Sequence, residues 1–87
     1  MYRVDVTPEA LRHLNRLPEK VRTAAVEMML GNLSVSPRRV GEPLLGELAG
    51  LYSAGRGDYR VIYEIDEDRM VVIVHRVQHR RDVYRRR

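Results

Sequence analysis

The chain has 87 residues, of which 44% are hydrophobic, enough for one modest core and one domain spanning 1–87. The absence of cysteine excludes a disulfide framework and a thiolate metal site. Lys and Arg number 16 against 12 Asp and Glu, for a net charge of +4. The excess sits at one end. Residues 1–74 carry ten basic and eleven acidic groups, whereas residues 75–87 carry six arginines and one aspartate.

Fifteen of the sixteen basic residues are arginine, with Lys20 the exception. The guanidinium group suits bidentate phosphate contacts and stacking on bases, so the bias leans toward nucleic acid. A codon preference can account for the bias but not for the clustering. The opening residues Met1–Val6 alternate polar and apolar side chains and lack the apolar block of a signal peptide, and the run Met70–Val74 is too short to span a bilayer. A soluble, cytoplasmic protein without a membrane partner is expected.

In chain order, Tyr2, Val4 and Val6 have the period of a half-buried strand. Thr7 can cap the following helix, Pro8 suits its first turn, and Glu9 favours the positive end of its dipole. Leu11, Leu14 and Leu17 are expected along one face of that helix. Pro18 opens a second helix in which Val21, Ala24, Ala25 and Met28 form a buried stripe, giving a helical hairpin. Gly31-Asn32 reads as a stop signal near its end, and Ser36-Pro37 cannot continue it.

A connector rich in Gly and Pro then runs from Arg38 to about Gly50. Beyond it the period changes to two: strands are expected over Leu51–Gly55, Tyr59–Ile65 and Met70–Gln78, with turns at Arg56–Asp58 and Asp66–Arg69. The apolar runs Val61–Tyr63 and Val71–Val74 mark central strands. The stretch from His79 is a short helix or a tail. The expected class is α+β: an N-terminal strand, a helical hairpin on a small, mostly antiparallel four-stranded sheet, and a short C-terminal helix.

The sequence carries no glycine-rich phosphate loop, no G-x-S-x-G elbow and no H-E-x-x-H, and His13, His75 and His79 are too scattered for a metal site. Neither a metal nor another cofactor is expected. What remains is Arg, His and Tyr on strands and turns. Such residues suffice for RNA cleavage in which the ribose 2′-hydroxyl attacks the adjacent phosphate, provided the protein orients that oxygen, moves its proton and stabilises the extra charge.

Three ordered segments, Gly50-Leu-Tyr-Ser-Ala54, Gly57-Asp-Tyr-Arg-Val-Ile-Tyr63 and Arg76-Val-Gln-His-Arg-Arg-Asp-Val-Tyr84, resemble the RelE/ParE toxins, and in particular the actinobacterial RelE branch. The resemblance implies a toxin of a type II toxin–antitoxin system that cleaves mRNA in the ribosomal A site as a metal-independent endoribonuclease. Its implied partners are mRNA, the ribosome through 16S rRNA, and a cognate antitoxin in a hetero-oligomer. The alternative on the same fold is a non-enzymatic gyrase inhibitor of the ParE type.

The resemblance gives Arg60 the scissile phosphate, makes Arg80 an electrostatic clamp and His79 a proton donor or acceptor, and sets Tyr84 on the substrate base. Arg60 should leave the sheet on the side away from the helices, since it alternates with Val61 and Tyr63. Arg56, Arg81, Arg38 and Arg39 are the expected RNA-backbone contacts, together with Arg85–Arg87. In one respect the chain departs from the pattern: Leu51 and Ser53 stand where enteric RelE toxins carry two lysines. Glu42 resembles a glutamate that YoeB-type relatives use as a base, although a solvated loop carboxylate is the simpler account.

Overall fold

The computed structural model describes residues 1–83; Tyr84 and Arg85–Arg87 lie outside the described residues. Strand β1 (Arg3–Val6) leads into helices α1 (Pro8–Arg16) and α2 (Glu19–Met28). A one-turn helix α3 (Pro37–Val40) and a two-residue strand β2 (Glu42–Pro43) follow. The meander β3 (Tyr52–Arg56), β4 (Tyr59–Asp66) and β5 (Val71–His79) completes the sheet. The sheet order is β1-β5-β4-β3-β2, with β1 parallel to β5 and every other neighbour antiparallel.

The α+β class and its helical hairpin are as the sequence implies, but the sheet has five strands rather than four. The extra strand lies in the connector, where Glu42 pairs with Ser53 and Pro43 with Tyr52. Pro43 is tolerated because β2 is an edge strand and needs no outward donor. At the C-terminal end the described part of the expected helix is one 3-10 turn, Arg80–Asp82.

Helix α1 starts as its sequence dictates, with the Thr7 hydroxyl accepting the Ala10 N–H at 3.1 Å. Its buried pair is Ala10 and Leu14, one turn apart, so Leu11 is turned outward and 52% exposed, contrary to the expected leucine stripe. Gly31-Asn32 does not stop the second helix. A π-turn covers Met29–Leu33, and the helical path persists to Val35, just before Ser36-Pro37. The Ser34 hydroxyl lies 2.9 Å from both the Leu30 and Gly31 carbonyls and satisfies groups released by the wider turn.

The helices cover one face of the sheet, where Val61, Tyr63, Val74 and Val77 pack against Leu14, Met29 and Leu33. The opposite face carries a smaller cluster of Leu44, Ile62 and Val83, flanked by Leu48 and Leu51. These two coverings explain the apolar run at positions 61–63, buried on both sides. Strand β5 extends past β1, and on that open edge the His13 ring accepts the Val77 N–H at 3.1 Å through Nδ1.

Tyr63 fixes the connector. Its fully buried phenol donates to the Pro37 carbonyl at 2.5 Å, accepts the Gly41 N–H, and stacks on Tyr52 with ring centroids 5.5 Å apart. A Cβ on Gly41 would come within 2.3 Å of that phenol oxygen and 2.9 Å of the Ser53 carbonyl, so only glycine fits. Burial pushes the Tyr63 hydroxyl up to about 12. An acid whose folded pKa is raised contributes its stability fully below the unfolded value near 10 and loses it as pH rises toward 12. Tyr63→Phe should cost on the order of 1–2 kcal/mol at neutral pH and weaken the fall in stability across that alkaline window, as read by urea unfolding at a series of pH values. Gly41→Ala should cost more than Tyr63→Phe, because backbone has to move.

Candidate active site

The meander places Arg60 and Arg80 at one end of the sheet, on the face away from the helices. Arg60 sits opposite Gly55 on β3 and Gln78 on β5, and alternates with the core residue Val61. Its guanidinium lies across Gly55, where an added Cβ would overlap its terminal nitrogen. Glycine at 55 is therefore the seat of Arg60. Arg60 forms no ion pair with Asp58 or Glu64; Glu64 instead meets His75 at 2.9 Å.

Arg80 follows β5 directly. Its backbone N–H donates to the Asp58 carbonyl at 2.8 Å, and its guanidinium is 4.0 Å from the Asp58 carboxylate, so the β3–β4 turn tethers it. Gly57, with φ +61, makes that tight turn possible. Val83, three residues on, is buried against Ile62 and holds the turn Arg80–Asp82 against this face.

Arg60 and Arg80 line one open cleft of about 360 Å³, together with Glu42, Pro43, Leu44 and Ser53. It brings together two guanidiniums, a carboxylate and a hydroxyl. The cations can hold a phosphodiester and offset charge developing on it, and the carboxylate can take a proton. Among the described residues no group of three or more His, Asp or Glu side chains is placed to hold a metal ion.

Other candidates lie elsewhere. His79 belongs to the helix-side face, where its ring meets Tyr59 edge-on with centroids 5.5 Å apart, and its Nδ1 accepts the Arg81 N–H at 3.3 Å. Arg56 lines a separate groove beside Met28, Gly31 and Val40. Arg39 and Arg81 are exposed. Arg38 serves the fold at the far end of the sheet: its Nε meets Glu67 at 2.6 Å and its Nη1 donates to the Tyr52 hydroxyl at 3.0 Å. Tyr2 donates to the same carboxylate at 2.7 Å, and these two bonds hold the Glu67 pKa below its ordinary value. Tyr84 lies outside the described residues.

Glu42 and Ser53 are the cleft residues to which the sequence gives little weight. The pairing of β2 with β3 brings them face to face, and a two-residue strand leaves no periodic signal. Leu51, at the other missing lysine position, packs against the cluster around Ile62, so an apolar residue there has a structural use.

The sequence model of the family described as ParE toxin of type II toxin–antitoxin system, parDE, matches residues 4–84. The chain belongs to this family. It is 49% identical over 85 residues to Toxin RelG of Mycobacterium tuberculosis, covering 98% of each chain, and 46% identical over 84 residues to Toxin RelE of the same organism, covering 97% of this chain and 87% of that one. Its fold matches the toxin–antitoxin complex RelBE2 from Mycobacterium tuberculosis with a TM-score of 0.87, at 47% identity over 90% of this chain and 96% of that one. The isolated E. coli RelE toxin shares the fold, with a TM-score of 0.74 at 23% identity over 91% of this chain and 84% of that one. The names Toxin RelE and RelBE2 of two of these relatives agree with the branch that the three sequence segments indicate.

Gly55→Ala gives a direct test of the Arg60 seat. The obstructing atom is the end of a flexible side chain and φ at 55 is not positive, so the fold should be kept, with stability unchanged or raised by about 0.5–1 kcal/mol. Toxicity on induced expression should nevertheless fall, as the guanidinium is pushed off its seat. A destabilised variant, or one both stable and fully toxic, would refute the arrangement.

Proposed function

We infer that this toxin is a ribosome-dependent endoribonuclease that cleaves mRNA in the A site by attack of the ribose 2′-hydroxyl on the adjacent phosphate. The observation that carries the reading is the pairing of Arg60 with Arg80 on one cleft beside Glu42. Arg60 and Arg80 hold the scissile phosphate and offset the charge of the pentacoordinate transition state. Glu42 accepts the 2′-hydroxyl proton as that oxygen bonds to phosphorus, the bond from phosphorus to the 5′-oxygen breaks, and the 5′-oxygen takes a proton from water, leaving a 2′,3′-cyclic phosphate and a 5′-hydroxyl end. His79, turned to the other side of the strand, fixes the strand end from which Arg80 projects. The decoding site supplies the in-line geometry, since orientation alone is worth several kcal/mol. Arg56, Arg39 and Arg81 are proposed RNA-backbone contacts, as is the arginine tail; Arg38, held by Glu67 and Tyr52, is left out.

A cognate antitoxin is the proposed protein partner, in keeping with the complex in which the RelBE2 relative was solved. A second reading, gyrase inhibition, is favoured by one observation, the ParE description of the family model. In a coupled translation reaction the purified protein should yield mRNA fragments ending at A-site codons; intact message with gyrase-linked DNA breaks would support the second reading.

Arg60→Ala and Arg80→Ala should each lower single-turnover cleavage on programmed ribosomes by about a hundredfold or more. Glu42→Gln should lower single-turnover cleavage far more than His79→Ala. The reverse pattern would hand the proton to His79.

A further inference from the structure

The same face of the sheet continues past the cleft along β5, beside the cluster around Ile62, and two of its side chains have no place in the chemistry above. Gln78 is the cross-strand neighbour of Arg60, and Arg76 is the neighbour of Ile62, so both share the Arg60 face while Val77 between them points into the helix-side core. Arg76 is half-buried. It forms no ion pair or hydrogen bond with the described residues, and the nearby carboxylate of Glu64 is engaged by His75. Arg60 is likewise half-buried and without an ion pair among the described residues.

Two partly desolvated guanidiniums on one face repel each other, and neither forms an ion pair among the described residues, an arrangement that a bound anion relieves. Diagonal neighbours across an antiparallel pair stand roughly 7–8 Å apart, close to the step between successive phosphates of an extended strand. Gln78 lies across from Arg60 and two residues along β5 from Arg76, and its Oε1 is buried with no hydrogen-bond partner among the described residues. Buried acceptors are normally satisfied, so the polar surface between the arginines is incomplete as it stands. A ribose hydroxyl can complete it once the amide turns outward.

From this the geometry points to a second phosphate subsite: Arg76 binds the phosphate next to the scissile one, and Gln78 contacts the ribose between them. Single-stranded RNA thus runs along β5 from the Arg60–Arg80 cleft. The inference rests on the reading of that cleft as an RNA site but not on cleavage. Register favours RNA over an acidic peptide, because two arginines one diagonal step apart with a neutral amide beside them suit a phosphate–ribose–phosphate unit.

The test is binding of a fluorescein-labelled single-stranded oligoribonucleotide, with one central 2′-deoxy residue to prevent cleavage, followed by anisotropy across a range of salt concentrations. Arg76→Gln should make the slope of log K against log salt shallower by about 0.7 and weaken binding about fivefold near 0.1 M salt. Arg12→Gln, which removes an exposed charge on α1, should leave the slope unchanged. A methylphosphonate at the linkage next to the central one should abolish the difference between Arg76→Gln and the unaltered protein. The subsite is overturned by an unchanged slope, by a defect that persists in full on the methylphosphonate RNA, or by absence of binding. It is also overturned if an acidic peptide, and not RNA, depends on Arg76. Parallel cleavage assays on programmed ribosomes separate the two ideas: binding that depends on Arg76 without cleavage would sink the nuclease reading and leave the subsite standing.

Discussion

The buried hydroxyl of Tyr63 holds the rest of the arrangement in register. A phenol at the centre of the sheet has to find partners inside the protein, and it finds them in the Pro37 carbonyl and the Gly41 N–H. Those two bonds clamp the connector against β3, with Gly41 as the residue small enough to let it approach. Once Gly41 is fixed, Glu42 and Pro43 fall opposite Ser53 and Tyr52, and Leu44 reaches Ile62 on the outer face. One wall of the cleft is therefore a consequence of a core hydrogen bond on the other side of the sheet.

The opposite wall depends on alternation and on a small outer cluster. Because Val61 and Tyr63 face the helices, Arg60 is obliged to face outward, and Gly55 gives its guanidinium room to lie flat. Arg80 is carried in by the chain itself: β5 ends at His79, the backbone bonds to Asp58, and Val83 buries against Leu44 and Ile62. The bulge at His75, between the pairs Ile62–Arg76 and Tyr63–Val74, lets β5 keep apolar residues inward on both sides of it.

Much of this was legible in the residues. The Thr7 cap, the alternating strands and the doubly covered run at 61–63 each follow from a local signal, and so does the outward direction of Arg60. The misreadings have physical causes. Leu11 fits a helical stripe by spacing, but the short helix buries Ala10 and Leu14, whose small and large side chains interlock with β5. Gly31-Asn32 looks like an end because glycine ends helices, yet a π-turn with Ser34 closing its carbonyls carries the helix through. β2 and the partnership of Glu42 with the arginines arise from tertiary pairing and leave no periodicity. His79 and Arg80 are neighbours in sequence, and for that reason a strand end sends them to opposite sides.

The placement of charge bears on how the cleft works. Ser53 faces the cleft and Leu51 serves the outer cluster, so β3 brings no ammonium group to the site, and its cations come from β4 and the end of β5. Both are arginines, which stay protonated near neutral pH and can offset charge but do not shuttle protons. Under the proposed reading, proton transfer falls to a group of another kind, and the carboxylate brought in by β2 shares their cleft. A carboxylate beside a bound phosphate is electrostatically opposed to it, and the two guanidiniums lining the cleft offset that opposition, Arg80 in part only because it also faces the Asp58 carboxylate at 4.0 Å. The balance holds only while Glu42 is kept in place by the strand pairing that Tyr63 anchors, which ties the chemistry of an exposed cleft to a hydrogen bond in the core.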